Sequence, residues 1–284
     1  MSWQACPMKK QRENITIIGQ GKVGQSLAQL AQKAGYKTEL IGRQIEQQKN
    51  ASRTADLIII AVNDEAISQV AEHIADAIEG STIVTHCSGA LNSQALTAPE
   101  SFGALTASCH PLNTFPTLDS ALSTFNTTEH GSYLFAEGNQ KAIRVLDVFY
   151  SSLGFKFKTI TKDAKAHYHL ACVMACNYLS VLMHTSLDIA ESSGLARDEF
   201  WLALSPLVHK TLENISNFGS LQSLSGPIAR ADTQTIAKHV KTLSESQPNA
   251  LELYCELGKN AVNIALENGS LDQACAKTIL KHLN

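Results

Sequence analysis

Asn14-Ile-Thr-Ile-Ile-Gly-Gln-Gly-Lys-Val-Gly24 is the stretch from which the fold is read. A β-branched run ends at Ile18 in glycine. Gly19, Gly21 and Gly24 keep the spacing G-x-G-x-x-G. Leu27, Leu30, Ala31 and Ala34 then recur with a helical period, and Gly35 stands where a helix stops. In the order strand, turn, helix, each glycine has a mechanical task. One permits the tight turn, one lets a pyrophosphate approach the backbone, and one lets helix pack closely on strand. The free N–H groups and positive dipole end of the helix face the phosphates. Gly19, Gly21, Val23 and Gly24 are therefore candidate dinucleotide-binding residues.

Working outward, Lys37–Ile41 reads as a second strand and is followed by Gly42 and Arg43. An NAD site places a carboxylate at this point to hold the ribose hydroxyls. Here there is none, and Arg43 offers a planar donor fork suited to a 2′-phosphate, so NADP is the expected coenzyme. Residues 55–62 are apolar on both faces, as in a central parallel strand. A helix is predicted over 66–78 and a strand over 82–86. Weaker strands follow near 103–108, 132–135 and 155–160. This alternation predicts an α/β fold with a Rossmann-like doubly wound sheet.

Ligands of such sheets lie outside the carboxyl ends of the strands. Three polar segments qualify: Val62-Asn63-Asp64, His86-Cys-Ser-Gly-Ala90 and Cys109-His-Pro-Leu-Asn-Thr-Phe115. From these, Asn63 is a candidate coenzyme contact, and Ser88, His110 and Asn113 are candidate substrate contacts. Cys109 has no evident base to activate it.

After Ile160 the period becomes helical. Segments 162–193, 197–218, 232–244, 248–267 and 270–283 are predicted helices, the second broken or kinked at Pro206. Ser270-Leu-Asp-Gln273 reads as a capping box. The expected domains are residues 1–160, binding NADP, and residues 161–284, a helical domain for substrate and dimerisation. A direct strand-to-helix join implies a cleft between them. Lys165, His169, Val173 and Asn177 recur every four residues along one helix face. Polar groups in an otherwise apolar helix are costly unless they have partners. A cleft would explain them, with His169 or Lys165 as proton donor and Asn177 as amide anchor. An internally satisfied core helix is the competing reading. His169, Cys172 and Cys176 share a face but lack a fourth ligand at zinc spacing, so no metal is expected. Arg230 is a candidate for a substrate carboxylate, or for a pair with Asp232.

Composition sets the outer bounds. The 284 residues include 23 Lys+Arg against 26 Asp+Glu, a net charge of -3 that gives no electrostatic footprint for nucleic acid. Charged residues are 17% against a usual value of about 25%, and apolar residues are 44%, which excludes a charged disordered chain. Seven cysteines at irregular spacing do not read as a disulfide framework. The polar amino terminus and the short apolar runs predict no signal peptide and no membrane span. The expected location is cytoplasmic, with a small-molecule substrate, no nucleic acid, no membrane, and a homodimer through the helical domain.

As a set, Gly19-x-Gly21-x-x-Gly24, His86-x-Ser88-Gly89, His110-Pro-Leu-x-Thr-Phe115, Tyr168-His169 with Asn177, and Gly226-Pro with Arg230-x-Asp232 resemble one family. It comprises NADP-binding proteins that join a Rossmann-like domain to a helical carboxy-terminal domain of uncharacterised function. Two positions depart from its pattern: Asn63, where the family tends to proline, and Ala231, where it tends to glycine. The layout is also similar to pyrroline-5-carboxylate reductase and the β-hydroxyacid dehydrogenases, and some family members are 2-dehydropantoate 2-reductases. The resemblance implies an NADPH-dependent reductase of a small carboxylated carbonyl compound, such as 2-dehydropantoate. Older ketopantoate reductases carry a helical K-x-x-x-N-x-x-x-N stripe. Here the comparable positions are His169, Val173 and Asn177, which leaves His169 as substitute donor. Imine reduction and non-catalytic NADP binding stay open as alternatives.

Overall fold

The computed structural model describes residues 14–113 and 132–284. The polar amino-terminal segment, Cys6, and Thr114 and Phe115 of the His110 motif lie outside the described residues. The chain divides into two compact units, Met1–Val173 and Met174–Asn284.

The first unit is built on seven strands: β1 Asn14–Ile18, β2 Lys37–Ile41, β3 Leu57–Ile60, β4 Ile83–His86, β5 Leu105–Leu112, β6 Ser132–Gly138 and β7 Phe155–Thr159. Their order is β2-β1-β3-β4-β5-β6-β7. The chain reverses its progress across the sheet between β1 and β3, which is where sheets of this kind open a crevice. Strands β1 to β5 pair in parallel. β6 runs antiparallel to β5, and β7 parallel to β6, so the sheet is mostly rather than wholly parallel.

Helices α1 Lys22–Lys33, α2 Ile45–Arg53 and α3 Asp64–Ala75 connect the first strands. Side chains alternate between the faces of a strand, and here both faces are dry. Ile15, Ile17, Leu57 and Ile59 pack with Leu27 and Ala31 on one face. Ile18, Ile58 and Ile60 pack with Ile67, Val70 and Ile74 on the other. This is why Leu57–Ile60 is apolar at every position. Burying each such side chain stabilises the fold by about 1.5–3 kcal/mol. The helix Gln140–Ser152 covers the late strands, capped by Asn139, whose Oδ1 accepts from the N–H groups of Lys141 and Ala142.

The helix Ala164–Cys172 follows the sheet and passes into a π turn, Val173–Asn177, before Tyr178–Ser192. The fourfold spacing of Lys165, His169, Val173 and Asn177 presumes an unbroken α-helix. The wider i→i+5 bonding of the π turn interrupts it. By length and composition alone, Ala164–Ser192 passes as a membrane-crossing helix, with a hydropathy of 1.4.

In the second unit the helix Arg197–Gln222 has no buried residue. Pro206 sits inside it, and its non-helical residue is Gly219, at φ 81°. A helix with a free face accommodates the missing N–H of proline by a local adjustment. The helices Thr233–Ser246, Pro248–Glu267 and Gln273–Leu283 surround a small core of Ile236, Val262, Leu271 and Ile279. The last of them is capped by Asp272, which accepts from the Cys275 N–H at 2.7 Å. Ser270, expected as the cap, instead donates back to the Ala265 carbonyl at 3.4 Å.

Ala231 adopts φ 56°. An L side chain in this left-handed region costs about 1–2 kcal/mol, whereas glycine takes it freely at an entropic cost of about 0.5–1 kcal/mol. Ala231→Gly should therefore stabilise the protein slightly, by up to about 1 kcal/mol. Urea unfolding measures this. A clear loss of stability in the glycine variant would refute it.

Candidate functional site

The glycine turn is shaped by contacts that exclude side chains. Gly19, at φ +124°, lies so close to β3 that an added Cβ would stand 2.2 Å from the Ala61 carbonyl oxygen. Gly24 lies so close to the turn that its Cβ would stand 1.9 Å from the Gly19 oxygen. At Gly21, by contrast, a Cβ would meet nothing within 4 Å. Gly21 is the N-cap of α1, and neither a capping side chain nor an acidic residue occupies that end. The positive end of the helix dipole thus faces this turn without an acid of its own.

A cleft of about 490 Å³ opens beside this turn. Gly21, Lys22 and Val23 form one end, Asn63 and Asp64 from the start of α3 form a side, and Cys87, Ser88, Gly89 and His169 form the other end. Asn63 has φ -60°, an angle proline also takes. The pairing Ile18↔Ile41 puts Gly42 and Arg43 beside the glycine turn. Arg43 is exposed, and the Gly42 carbonyl accepts from Gln48 Nε2 at 2.8 Å.

The loop after β4 is locked from within. His86 is fully buried; its Nδ1 accepts from the Ser88 N–H at 3.2 Å, so its Nε2 donates to the Asn92 carbonyl at 3.1 Å. Burial lowers its pKa to about 4, keeping the ring neutral. Ser88 lines the cleft, but its hydroxyl proton goes to Asp64 Oδ2 at 2.8 Å, and its oxygen accepts from the N–H groups of Ala90 and Leu91. Its evident work is to shape the wall and hold Asp64.

Two imidazoles meet at Gly89. A Cβ there would stand 2.3 Å from His169 Cδ2 and 3.0 Å from the His110 ring. The two rings are edge to face, 5.8 Å apart. His110 Nδ1 shares a 2.9 Å hydrogen bond with the Tyr168 hydroxyl. Burial, then the charges of Lys165 and His169, bring the His110 pKa down to about 4, so this ring is neutral near pH 7. Burial pushes the Cys109 thiol up to about 12, which leaves no thiolate to act as a nucleophile.

Among the predicted residues, the cleft brings together Gly21, Val23, Asn63, Ser88 and His169, with Gly19, Gly24 and His110 immediately behind its walls. Lys165 is fully buried and does not line it. Asn113 stands at the end of β5, with its N–H donated to the Pro111 carbonyl. Asn177 and Arg230 are exposed residues of the second unit. Asp232 is engaged in capping Thr235 rather than in an ion pair with Arg230.

Sequence reasoning marked the segments that carry Lys22, Asp64, Cys87 and Gly89 without singling these residues out, and it missed Glu137. The Glu137 carboxylate is buried and accepts from Ser93 N–H at 2.6 Å and Ser93 Oγ at 2.9 Å. A lone acid closing the apolar run of β6 was the available signal. Among the described residues, no group of three or more His, Cys, Asp or Glu could hold a metal ion.

Residues 132–261 match a family described as a domain of unknown function, DUF2520, and residues 37–111 match the Rossmann-like domain. No curated protein matches the chain. A solved protein from Thermotoga maritima is 24% identical with a TM-score of 0.68, over 90% of this chain and 99% of its own. A protein provisionally named an NADP oxidoreductase, from Bacteroides fragilis, is 18% identical with a TM-score of 0.72, over 88% and 97%. A reductive aminase from Aspergillus terreus, solved with NADPH4, cyclohexanone and allyl amine, is 14% identical with a TM-score of 0.57, over 95% and 92%. At these identities the likeness carries the fold: a Rossmann-like domain followed by a helical domain, as in NADP-dependent oxidoreductases.

The buried His86 and the half-buried His110 make stability pH-dependent. Their pKa values are lowered to about 4 in the folded state from about 6.5 in the unfolded chain. The unfolded chain then binds more protons between these limits. Their contribution is complete above about pH 6.5 and is lost as pH falls towards 4, at up to about 1.4 kcal/mol per pH unit for each ring. Denaturant titrations at pH 7 and pH 5 should show the loss, and His86→Gln should flatten it. An equally steep dependence in that variant would assign the effect elsewhere.

Proposed function

We propose that this chain is an NADPH-dependent oxidoreductase that reduces a small carboxylated carbonyl compound, with 2-dehydropantoate as the leading substrate. One observation carries the reading: a single cleft runs from an uncapped glycine-turn helix to a histidine. The first end fits a pyrophosphate, since Gly21 faces open space and the start of α1 carries no side-chain cap and no acid. Arg43, with no acid beside it at the end of β2, fits the 2′-phosphate of NADPH. The binding of NADPH4 by the Aspergillus terreus neighbour supports the same choice.

When bound, the coenzyme supplies hydride, and the protein supplies placement and electrostatics. Gly21 and Val23 would hold the pyrophosphate by backbone N–H groups, with Asn63 in the same cleft wall. His169, at the far end, donates a proton to the substrate oxygen. The Gly89 contact and the His110–Tyr168 pair keep its ring in place. Lys165 does not reach the cleft, which favours His169 as the donor.

Imine reduction is the second reading, favoured by the reductive aminase neighbour. An iminium substrate needs less help from a protein acid.

The same proposal includes a homodimer. Tyr178, Val181, Trp201, Leu202, Leu207 and Phe218 are large apolar side chains exposed on two helices of the second unit. Large apolar side chains repeated along two helices are the kind of surface that association covers. A second copy accounts for it without a membrane. A cytoplasmic location is part of the same proposal, supported by the free thiols of the half-buried Cys87 and the buried Cys109.

Two measurements test this reading. NADPH oxidation, followed by absorbance over a panel of 2-oxo acids and cyclic imines, should reveal turnover of an oxo acid. His169→Ala should lower its kcat by about 10²–10⁴-fold with NADPH affinity nearly unchanged. Undiminished turnover would remove the donor role, and cyclic-imine turnover that survives the substitution would select the second reading. Arg43→Ala should weaken NADPH about tenfold, the loss of one charge-assisted contact, and leave NADH little affected. Equal effects on both coenzymes would take Arg43 out of 2′-phosphate recognition.

A further inference from the structure

Lys165 is 1% exposed, and its Nζ has no hydrogen-bond partner among the described residues. An ammonium buried without acceptors is unfavourable, and such groups usually shift pKa or serve a function. Burial lowers its pKa, while Glu137, Cys109, Cys87 and Asp64 oppose the shift. Its charge is felt in turn by His86 and His110. His86 closes β4 and Cys87 follows it, Cys109 and His110 lie within β5, Glu137 lies near the end of β6, and Asp64 opens α3. Lys165 lies one helical turn before His169 on the same helix, and His169 lines the cleft and abuts Gly89, so the ammonium stands behind the Cys87–Gly89 end, opposite the glycine turn. Glu137 is the nearest balancing charge in effect, but both of its oxygens are held by Ser93.

Resting on the reading of the cleft as a nicotinamide-coenzyme site, we propose that the buried ammonium of Lys165 sets its preference for the reduced over the oxidised coenzyme. The two forms share their adenosine, riboses and phosphates, so contacts with the glycine turn and Arg43 cancel in the ratio of their affinities. They differ at the nicotinamide ring, which is a cation when oxidised and neutral when reduced. A fixed positive charge behind that end of the cleft repels only the oxidised ring. With little water between them, the repulsion is weakly screened. Lys165 touches neither substrate nor coenzyme in this role. It acts through its field, favouring capture of the reduced form and release of the oxidised form after turnover.

The experiment is a titration of NADPH and NADP⁺ into the full chain, as wild type, Lys165→Met and Glu137→Gln. Wild type should bind NADPH about tenfold more tightly than NADP⁺. Lys165→Met should narrow that ratio by about tenfold, chiefly by tightening NADP⁺; for a two-electron couple this is about 30 mV. Glu137→Gln removes the countercharge and should widen the ratio. Opposite shifts are not expected of residues whose role is only structural. A folded Lys165→Met protein with the wild-type ratio overturns the proposal, as do shifts of both variants in one direction. If Lys165→Met does not fold, Glu137→Gln decides: a wider ratio supports the proposal, and an unchanged or narrower one overturns it. If neither form binds even to wild type, the coenzyme reading falls and takes this inference with it. If both forms bind and the ratio never moves, only the inference falls.

Discussion

The carbonyl of Gly19 and the bare α-carbon of Gly24 approach more closely than any side chain would permit, and Gly19 in turn presses on the Ala61 carbonyl. This chain of backbone contacts ties α1, β1 and β3 together at the point where the strand order reverses. From it follow the direction of α1, the openness at Gly21 and the position of the cleft. The apolar layers on both faces of the sheet hold the three elements in place. The loops at the other strand ends are then free to carry chemistry.

Those loops are more rigid than their polar composition suggests. His86 and Ser88 spend their hydrogen bonds on the local backbone and on Asp64, so the wall after β4 needs no ligand to take its shape. Behind it lies a polar interior of unlike members: two neutral imidazoles, a carboxylate held by serine, and an ammonium with no hydrogen bond. A positive charge on the lysine disfavours protonation of both neighbouring rings.

Much of the first unit was legible because its signals are local. The run Asn14–Ile18, the glycine spacing and the all-apolar Leu57–Ile60 each encode geometry within a few residues. Strand direction is not local. The pattern of β6 would read the same either way, so its antiparallel course stayed hidden. In the helical half, Pro206 carries a strong sequence signal for a break, but the backbone departs from helical geometry at Gly219, where it takes a positive φ. The site was legible where a motif marked it, at Gly21 and His169. It was not legible where burial decides. Lys165 and His169 share a helix and a spacing, and yet one lines the cleft and the other is enclosed beside it. Gly89 and Glu137 acquire their roles only from the strands around them.

Gly89 also constrains how this protein can diverge. Two rings from distant parts of the chain converge on a Cα that carries only hydrogen. Sequence drift at this place cannot proceed one residue at a time. A methyl at position 89 requires a smaller or reoriented group at 110 or 169, and those two are coupled to each other and, through the tyrosine at 168, to Phe135 of β6. Among homologues, these positions should change as a group or stay as they are.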